Sequence, residues 1–199
     1  MVNKGAFIVL EGLDGSGKST QAKILAGRLK KSHMAIYTAE PSRGKIGVFI
    51  RKRILYGDTR LPICVEALLF AADRIEHIRN EVLPALESGF LVISDRYLYS
   101  SLAYQGSAGL NLDWIQTINA YALKPDLALF IDVNPETVLK RLRRKKSVME
   151  NLETQQRVRE VYLSYVDKGE LININGNKPR KEVAKDVFAA VTALLEAHS

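Results

Sequence analysis

The chain has 199 residues, 47% of them hydrophobic and 26% charged, and its 29 Lys and Arg outnumber 22 Asp and Glu to give a net charge of +7. That balance excludes a disordered chain, suits one domain with a substantial core (1–199), and asks for polyanionic partners, either nucleotides or nucleic acid. A single cysteine, Cys64, excludes an intramolecular disulfide and makes a reducing cytoplasm the expected compartment, while the lack of a signal peptide or a long uncharged apolar run predicts a soluble protein with no membrane partner.

Phe7 to Leu10 reads as a buried parallel strand, and the residues after it, Gly12 to Ser19, match G-x-x-x-x-G-K-[ST] without a mismatch. Gly12, Gly15 and Gly17 let the backbone aim several N–H groups at a polyphosphate. Lys18 supplies a point charge for the β- and γ-phosphates and Ser19 a hydroxyl for Mg²⁺. The helix that begins near Lys18 adds about half a positive charge at its N-terminus. The loop, Gly12, Leu13, Asp14, Gly15, Ser16, Gly17, Lys18, Ser19 and Thr20, is therefore a cradle for a nucleoside triphosphate. A chance glycine-rich turn is disfavoured because a strand precedes it and the helical pattern Ala22, Leu25, Ala26, Leu29 follows.

Farther along, Ala35 to Ala39 is a short strand ended by Glu40 and Pro41. A basic helix is expected over Ile46 to Leu55. The longest helical pattern runs from Leu61 to Glu87, with Ile63, Ala67, Phe70, Ile75, Ile78, Val82 and Leu86 as its apolar stripe and Pro84 kinking its last turn. Cys64 lies in this apolar stretch and is expected in the core. A third strand, Phe90 to Ile93, ends in Ser94 and Asp95. Helices follow at Tyr97 to Gln105 and Leu112 to Leu123, a strand at Leu127 to Val133, and a helix opened by Pro135 that runs into the basic cluster Lys140 to Lys146. A helix at Leu152 to Tyr165, a strand at Leu171 to Ile174 and a helix at Glu182 to Ala197 complete the chain. Strands buried on both faces alternate with helices throughout, which predicts a three-layer α/β/α fold of the P-loop NTPase type: a five-stranded parallel sheet flanked by helices, with a basic lid at about 140–152.

Ligands of open parallel sheets bind at the carboxyl ends of the strands. Asp95 is placed there to hold the Mg²⁺ shell of a bound triphosphate, or else to cap the following helix. Arg96, Ser100 and Tyr104, at i, i+4 and i+8 with Ser101 and Gln105 on their flank, read as one helical face that addresses a polar ring and its phosphate. Phe70 and Arg74 are likewise one turn apart, a ring to stack on a base and a guanidinium to reach its carbonyl, with Asp73 expected to pin Arg74. The run Lys140 to Lys146 is a solvated helix end, a nucleic-acid patch or, in a phosphate-loop protein, a lid bringing arginines to the transferring phosphoryl group. His33, His77 and His198 receive no role and read as surface or packing residues.

Together these residues resemble the thymidylate kinases. The resemblance spans nearly the whole chain and rests on EGLDGSGKST (Glu11 to Thr20), the pair Glu40–Pro41, FAADR (Phe70 to Arg74), DRYLYSSLAYQG (Asp95 to Gly106) and a basic lid followed by Glu150 to Glu153. It implies ATP as phosphoryl donor with Mg²⁺, dTMP as acceptor, and a homodimer. It further implies Asp14 near the sugar 3′-hydroxyl and the metal shell, with Ser19 and Asp95 as the other metal-side residues, and Phe70 stacked on thymine. Arg74, Ser100, Ser101 and Gln105 would surround the polar edge of the base, next to Glu40 and Pro41. Arg96 and Arg51 would hold the acceptor phosphate, and Tyr104 would lie under the deoxyribose. Gly15 in the loop, with Arg141, Arg143 and Arg144 downstream, marks the type whose catalytic arginines sit in the lid, alongside Lys18, Asp95 and Arg96. The chain departs from the family pattern at Ala39, where many relatives have arginine, and at Glu150 to Glu153, where the usual Asp-Arg-x-Glu lacks its arginine. A kinase for another monophosphate or a deoxynucleoside, or a basic nucleic-acid-binding module, remains as an alternative. A GTP switch is disfavoured because Leu123 to Asp126 lacks the guanine-specifying asparagine.

Overall fold

A computed structural model describes residues 5–56, 61–142 and 151–197. Its centre is one parallel sheet of five strands: β1 (Ala6–Glu11), β2 (Ala35–Ala39), β3 (Leu91–Asp95), β4 (Leu127–Asp132) and β5 (Ile172–Asn175), in the order β2-β3-β1-β4-β5. Every residue of β1 and β3 is buried, as continuous apolar runs covered on both faces require. The expected sheet and its helical flanks are therefore present.

The register levels the carboxyl ends of three strands. Leu10 pairs with Asp95, and Asp95 with Ala39. The chain leaves β1 toward β2 on one side and later returns to β4 on the other, so the crevice opens beside the end of β1. Helix α1 (Lys18–Leu29) starts there from Gly17, whose φ of 95° needs a residue without a Cβ.

Around the sheet lie α2 (Lys45–Ile50), which continues as a π-helical turn over Arg51–Leu55, and α3 (Ile63–His77). The expected long helix is continuous through a π turn (Ile78–Val82) into α4 (Leu83–Glu87); Pro84, which has no N–H, stands just past the widened turn. Then come α5 (Leu98–Ser107), α6 (Leu112–Ile118), α7 (Pro135–Arg141), α8 (Leu152–Asp167) and α9 (Arg180–Ala197).

The face that α3 turns inward differs from the expected apolar stripe. Ala67 and Ala71 are buried, and Ile78 and Val82 beyond them, but Glu66, Asp73, Arg74 and His77 fill the rest of that face. Cys64, expected in the core, is exposed, because it shares the opposite side of α3 with Val65 and Leu68. Nor does Asp73 pin Arg74. Its carboxylate accepts from the Ser42 N–H at 2.8 Å and from the Ser42 hydroxyl at 2.6 Å, tying α3 to the loop that opens α2. Both bonds are buried and one partner is a carboxylate, so Asp73→Ala should lower stability by about 2–3 kcal/mol, measured by chemical unfolding.

The phosphate loop and a candidate acceptor cleft

Burial and the loop conformation set the state of Lys18. The glycines at 15 and 17 have φ of 84° and 95°, which turns the loop around the start of α1. Lys18 is only 5% exposed and donates to the carbonyl of Leu13 at 3.2 Å. Burial, then the charge of Arg96, pushes its ammonium down from the usual range, while Asp14, Asp95 and Glu11 partly offset them.

Asp14 links the loop to α5. Its carboxylate meets Arg96 Nη2 at 2.5 Å and Lys18 Nζ at 3.5 Å, and its N–H donates to the Tyr104 hydroxyl at 3.0 Å. Burial alone would raise this carboxyl, yet Arg96 and Lys18 hold it well below the ordinary range. Arg96 also donates to Ser100 Oγ at 2.8 Å and lies over the Tyr104 ring, 5.0 Å from its centre. The expected face of Arg96, Ser100 and Tyr104 does converge, but not along one helix. Arg96 precedes α5 with a φ of 73°, and its guanidinium reaches the helix from the turn.

Glu11, at the end of β1, explains how α5 is held. One of its oxygens accepts from the N–H groups of Tyr97 (2.9 Å) and Ser100 (3.2 Å), the other from the hydroxyls of Ser100 (2.6 Å) and Tyr162 (3.2 Å). It replaces a side-chain cap that Tyr97, the residue before α5, does not supply. Burial pushes the Glu11 carboxyl up, against the pull of Ser100 and Arg96. Asp95 is the last residue of β3 and not a helix cap. Its Oδ2 accepts from Tyr37, and its buried Oδ1 has no hydrogen-bond partner among the described residues.

Two clefts meet at the loop. The larger, about 360 Å³, is lined by ten of the residues expected around an acceptor: Asp14, Glu40, Pro41, Phe70, Arg74, Arg96, Ser100, Ser101, Tyr104 and Gln105. Arg51 is not on that lining; its guanidinium donates to the carbonyl of Pro41. The smaller, about 200 Å³, is bounded by Gly15, Ser16, Gly17, Thr20, Arg141, Lys178 and Arg180 among others. Gly15 is the residue common to both. A Cβ there would come within 3.3 Å of Leu142, itself on the wall of the larger cleft. Gly12, Leu13, Lys18, Ser19 and Asp95 lie on neither wall; Lys18 and Asp95 are buried, and Ser19 is exposed on the first turn of α1. Arg143 and Arg144 fall outside the described residues.

On the wall of the larger cleft Arg74 is only 1% exposed. Its guanidinium donates to Asn119 Oδ1, to the Tyr97 carbonyl (3.0 Å) and to Ser101 Oγ (3.1 Å), and pairs with Glu40 at 2.8 Å. Sequence reasoning missed Glu11, Asn119 and Glu66, the last a buried carboxylate on the cleft wall one turn before Phe70. Glu11 stood inside a quoted motif, but nothing local singles out Asn119.

A family model described as thymidylate kinase matches residues 10–187. A probable thymidylate kinase of Pyrococcus abyssi is 42% identical over 197 residues, covering 94% of this chain and 96% of that protein. Proteins of the same description from Thermococcus gammatolerans and Staphylothermus marinus are also 42% identical, over 199 and 189 residues, with at least 93% of each chain covered. With motif, cleft and sequence in agreement from one end to the other, the chain belongs to the thymidylate kinase family.

Proposed function

We propose that this chain transfers the γ-phosphoryl group of Mg·ATP to the 5′-phosphate of dTMP, giving dTDP and ADP, with the larger cleft as acceptor site and the smaller as donor site. Phosphorylation of dTMP by a nucleotide kinase is what membership of the family means. The observation that supports the assignment of sites is that the two clefts meet at Gly15, with Arg96 on the wall of the larger and the phosphate-loop residues Ser16, Gly17 and Thr20 on the wall of the smaller.

The acceptor oxygen is already anionic, so no general base is needed, and the protein acts by alignment and charge neutralisation. Arg96 takes the acceptor phosphate, held ready by Asp14, Ser100 and Tyr104. Lys18 gives up the Leu13 carbonyl for the β- and γ-phosphates. Phe70 stacks on the base, Arg74 and Gln105 meet its polar edge, and Tyr104 underlies the sugar. Arg141 already borders the donor cleft, and Arg143 and Arg144 follow it in sequence. The orphaned Oδ1 of Asp95 suits a hard cation, and Asp95, Ser19 and Asp14 would hold Mg²⁺. Bound with the triphosphate, Mg²⁺ neutralises charge on its oxygens.

A coupled ADP-release assay across dTMP, dUMP, UMP, CMP, GMP, AMP and thymidine tests the reading, which fails if dTMP is not among the best acceptors. No helix among the described residues is long and apolar enough to cross a membrane, and the cytoplasm is the compartment proposed. A homodimer is proposed through α2 and α3, where Val48, Phe49, Val65 and Leu68 leave an exposed apolar face. Leu68→Glu should then give a monomer by light scattering at concentrations where the unmodified chain has twice that mass.

A further inference from the structure

We propose that His77, which reads from sequence alone as a surface or packing residue, is a positioning residue of the acceptor cleft: through Glu40 it sets how Arg74 is presented to the base. The inference rests on the reading of that cleft as the dTMP site. His77 is on α3, three residues beyond Arg74 on the same buried face, and is 2% exposed. Its Nδ1 lies 3.2 Å from Glu40 Oε1 and its Nε2 2.7 Å from Thr38 Oγ1. The other oxygen of Glu40, Oε2, meets Arg74 Nη2 at 2.8 Å, as an ion pair out of line for a hydrogen bond. The result is a buried chain, Thr38–His77–Glu40–Arg74, whose last two members line the cleft.

The chemistry of the chain fixes one proton. An ionised carboxylate only accepts, so Nδ1 of His77 must carry hydrogen to bond Glu40. The Thr38 hydroxyl, able to donate or accept, then answers Nε2. The other charges facing the ring are Glu81, 3.7 Å from Nε2 on the following turn, Asp73 one turn earlier on α3, and Arg74 beyond Glu40. Because Oε2 makes no aligned hydrogen bond among the described residues, the bond from His77 is what fixes the plane of the Glu40 carboxylate. Glu40 in turn fixes one of the four directions in which the Arg74 guanidinium is held. Without the Nδ1 donor the carboxylate is free to turn toward Arg74 alone, and the guanidinium shifts from the position that meets the base.

Two substitutions separate this role from packing. In His77→Asn the amide nitrogen replaces Nδ1 and keeps the donor to Glu40. In His77→Gln the amide nitrogen replaces Nε2 and keeps only the contact with Thr38. H77Q should raise KM for dTMP about tenfold, the scale of one hydrogen bond to a charged group, with kcat and KM for ATP within about threefold. H77N should keep KM for dTMP within about threefold. Equal shifts in both variants, or parallel rises in KM for dTMP and ATP, would overturn the proposal. The second measurement needs no variant: nitrogen-15 NMR of the full chain labelled at histidine should show His77 protonated at Nδ1, with a shift that moves on adding dTMP. A neutral ring protonated only at Nε2 overturns the proposal as well. If the unmodified enzyme fails to phosphorylate dTMP, the reading of the site fails, whereas normal activity with indistinguishable H77N and H77Q removes only the role of His77.

Discussion

Lys18→Ala is expected to lower the rate of phosphoryl transfer to dTMP by about two to three orders of magnitude, the usual cost of one preorganised charge at a reacting centre, without loss of thermal stability. The two halves of that expectation have one origin. Lys18 is buried against its own loop, and burial together with Arg96 lowers its pKa in the folded chain. For a base, a lowered folded pKa means the charged form is less favoured in the folded chain than in the unfolded one. Charged Lys18 therefore costs stability at neutral pH, and that cost is relieved only as pH rises from the folded pKa through the ordinary 10.5. Alanine removes the cost. It also leaves no orphan, since the Leu13 carbonyl still accepts from the Ser16 N–H at 3.1 Å. A melting temperature at pH 7 equal to or above that of the unmodified chain, with kcat reduced at saturating ATP, is the expected pair of results. A drop in both would mean that Lys18 holds the loop together and does not simply wait for phosphate. When the triphosphate enters, its charge supplies what the buried loop lacks, so binding should favour the ammonium form.

How far such arguments could run from the sequence depends on the range of the interaction. The phosphate loop was legible because its chemistry is local: three glycines, a lysine and a serine at fixed spacing between an apolar strand and a helix. The parallel sheet was legible because strands covered on both faces read as unbroken apolar runs. The inward face of α3 was not. Helical spacing puts Phe70, Asp73, Arg74 and His77 within reach of one another, and from the sequence alone Arg74 is the natural partner for Asp73. Their partners instead come from Ser42, Asn119 and Glu40, positions 31, 45 and 37 residues from Asp73, Arg74 and His77 respectively, which only the sheet brings near. Cys64 failed for a related reason, because the apolar stretch from Leu61 to Phe70 holds residues of both faces. Arg96 shows the reverse: its φ of 73° breaks the helical spacing used to group it with Ser100 and Tyr104, yet the three meet, because the turn aims the side chain along the helix it precedes.

Arg74→Met should be the most damaging substitution in the acceptor cleft. Methionine keeps the unbranched apolar stem of the side chain but removes the guanidinium, and with it the charge and all the donors. It strands Glu40 and the Asn119 amide oxygen, both buried, and removes a donor from the Tyr97 carbonyl and from Ser101. Breaking a buried pair at one partner costs about 3–5 kcal/mol, because the survivor keeps its charge without water. For a chain of this size that corresponds to a fall in melting temperature of about 6–20 °C. Arg74→Lys restores a charge opposite Glu40 but not a planar fork that serves Asn119, Tyr97 and Ser101 together, so it should recover only part of the loss. The decisive comparison is the double variant Glu40→Gln with Arg74→Met. If the stranded charge is the main cost, removing it should return a substantial part of the lost stability, and a double variant no more stable than R74M would assign the cost to packing and the lost donors. KM for dTMP should stay raised by about tenfold or more in both, since neither has a guanidinium to meet the base. Stability that recovers while dTMP affinity does not would separate the two tasks of Arg74, joining α3 to α5, α6 and the end of β2, and facing the substrate.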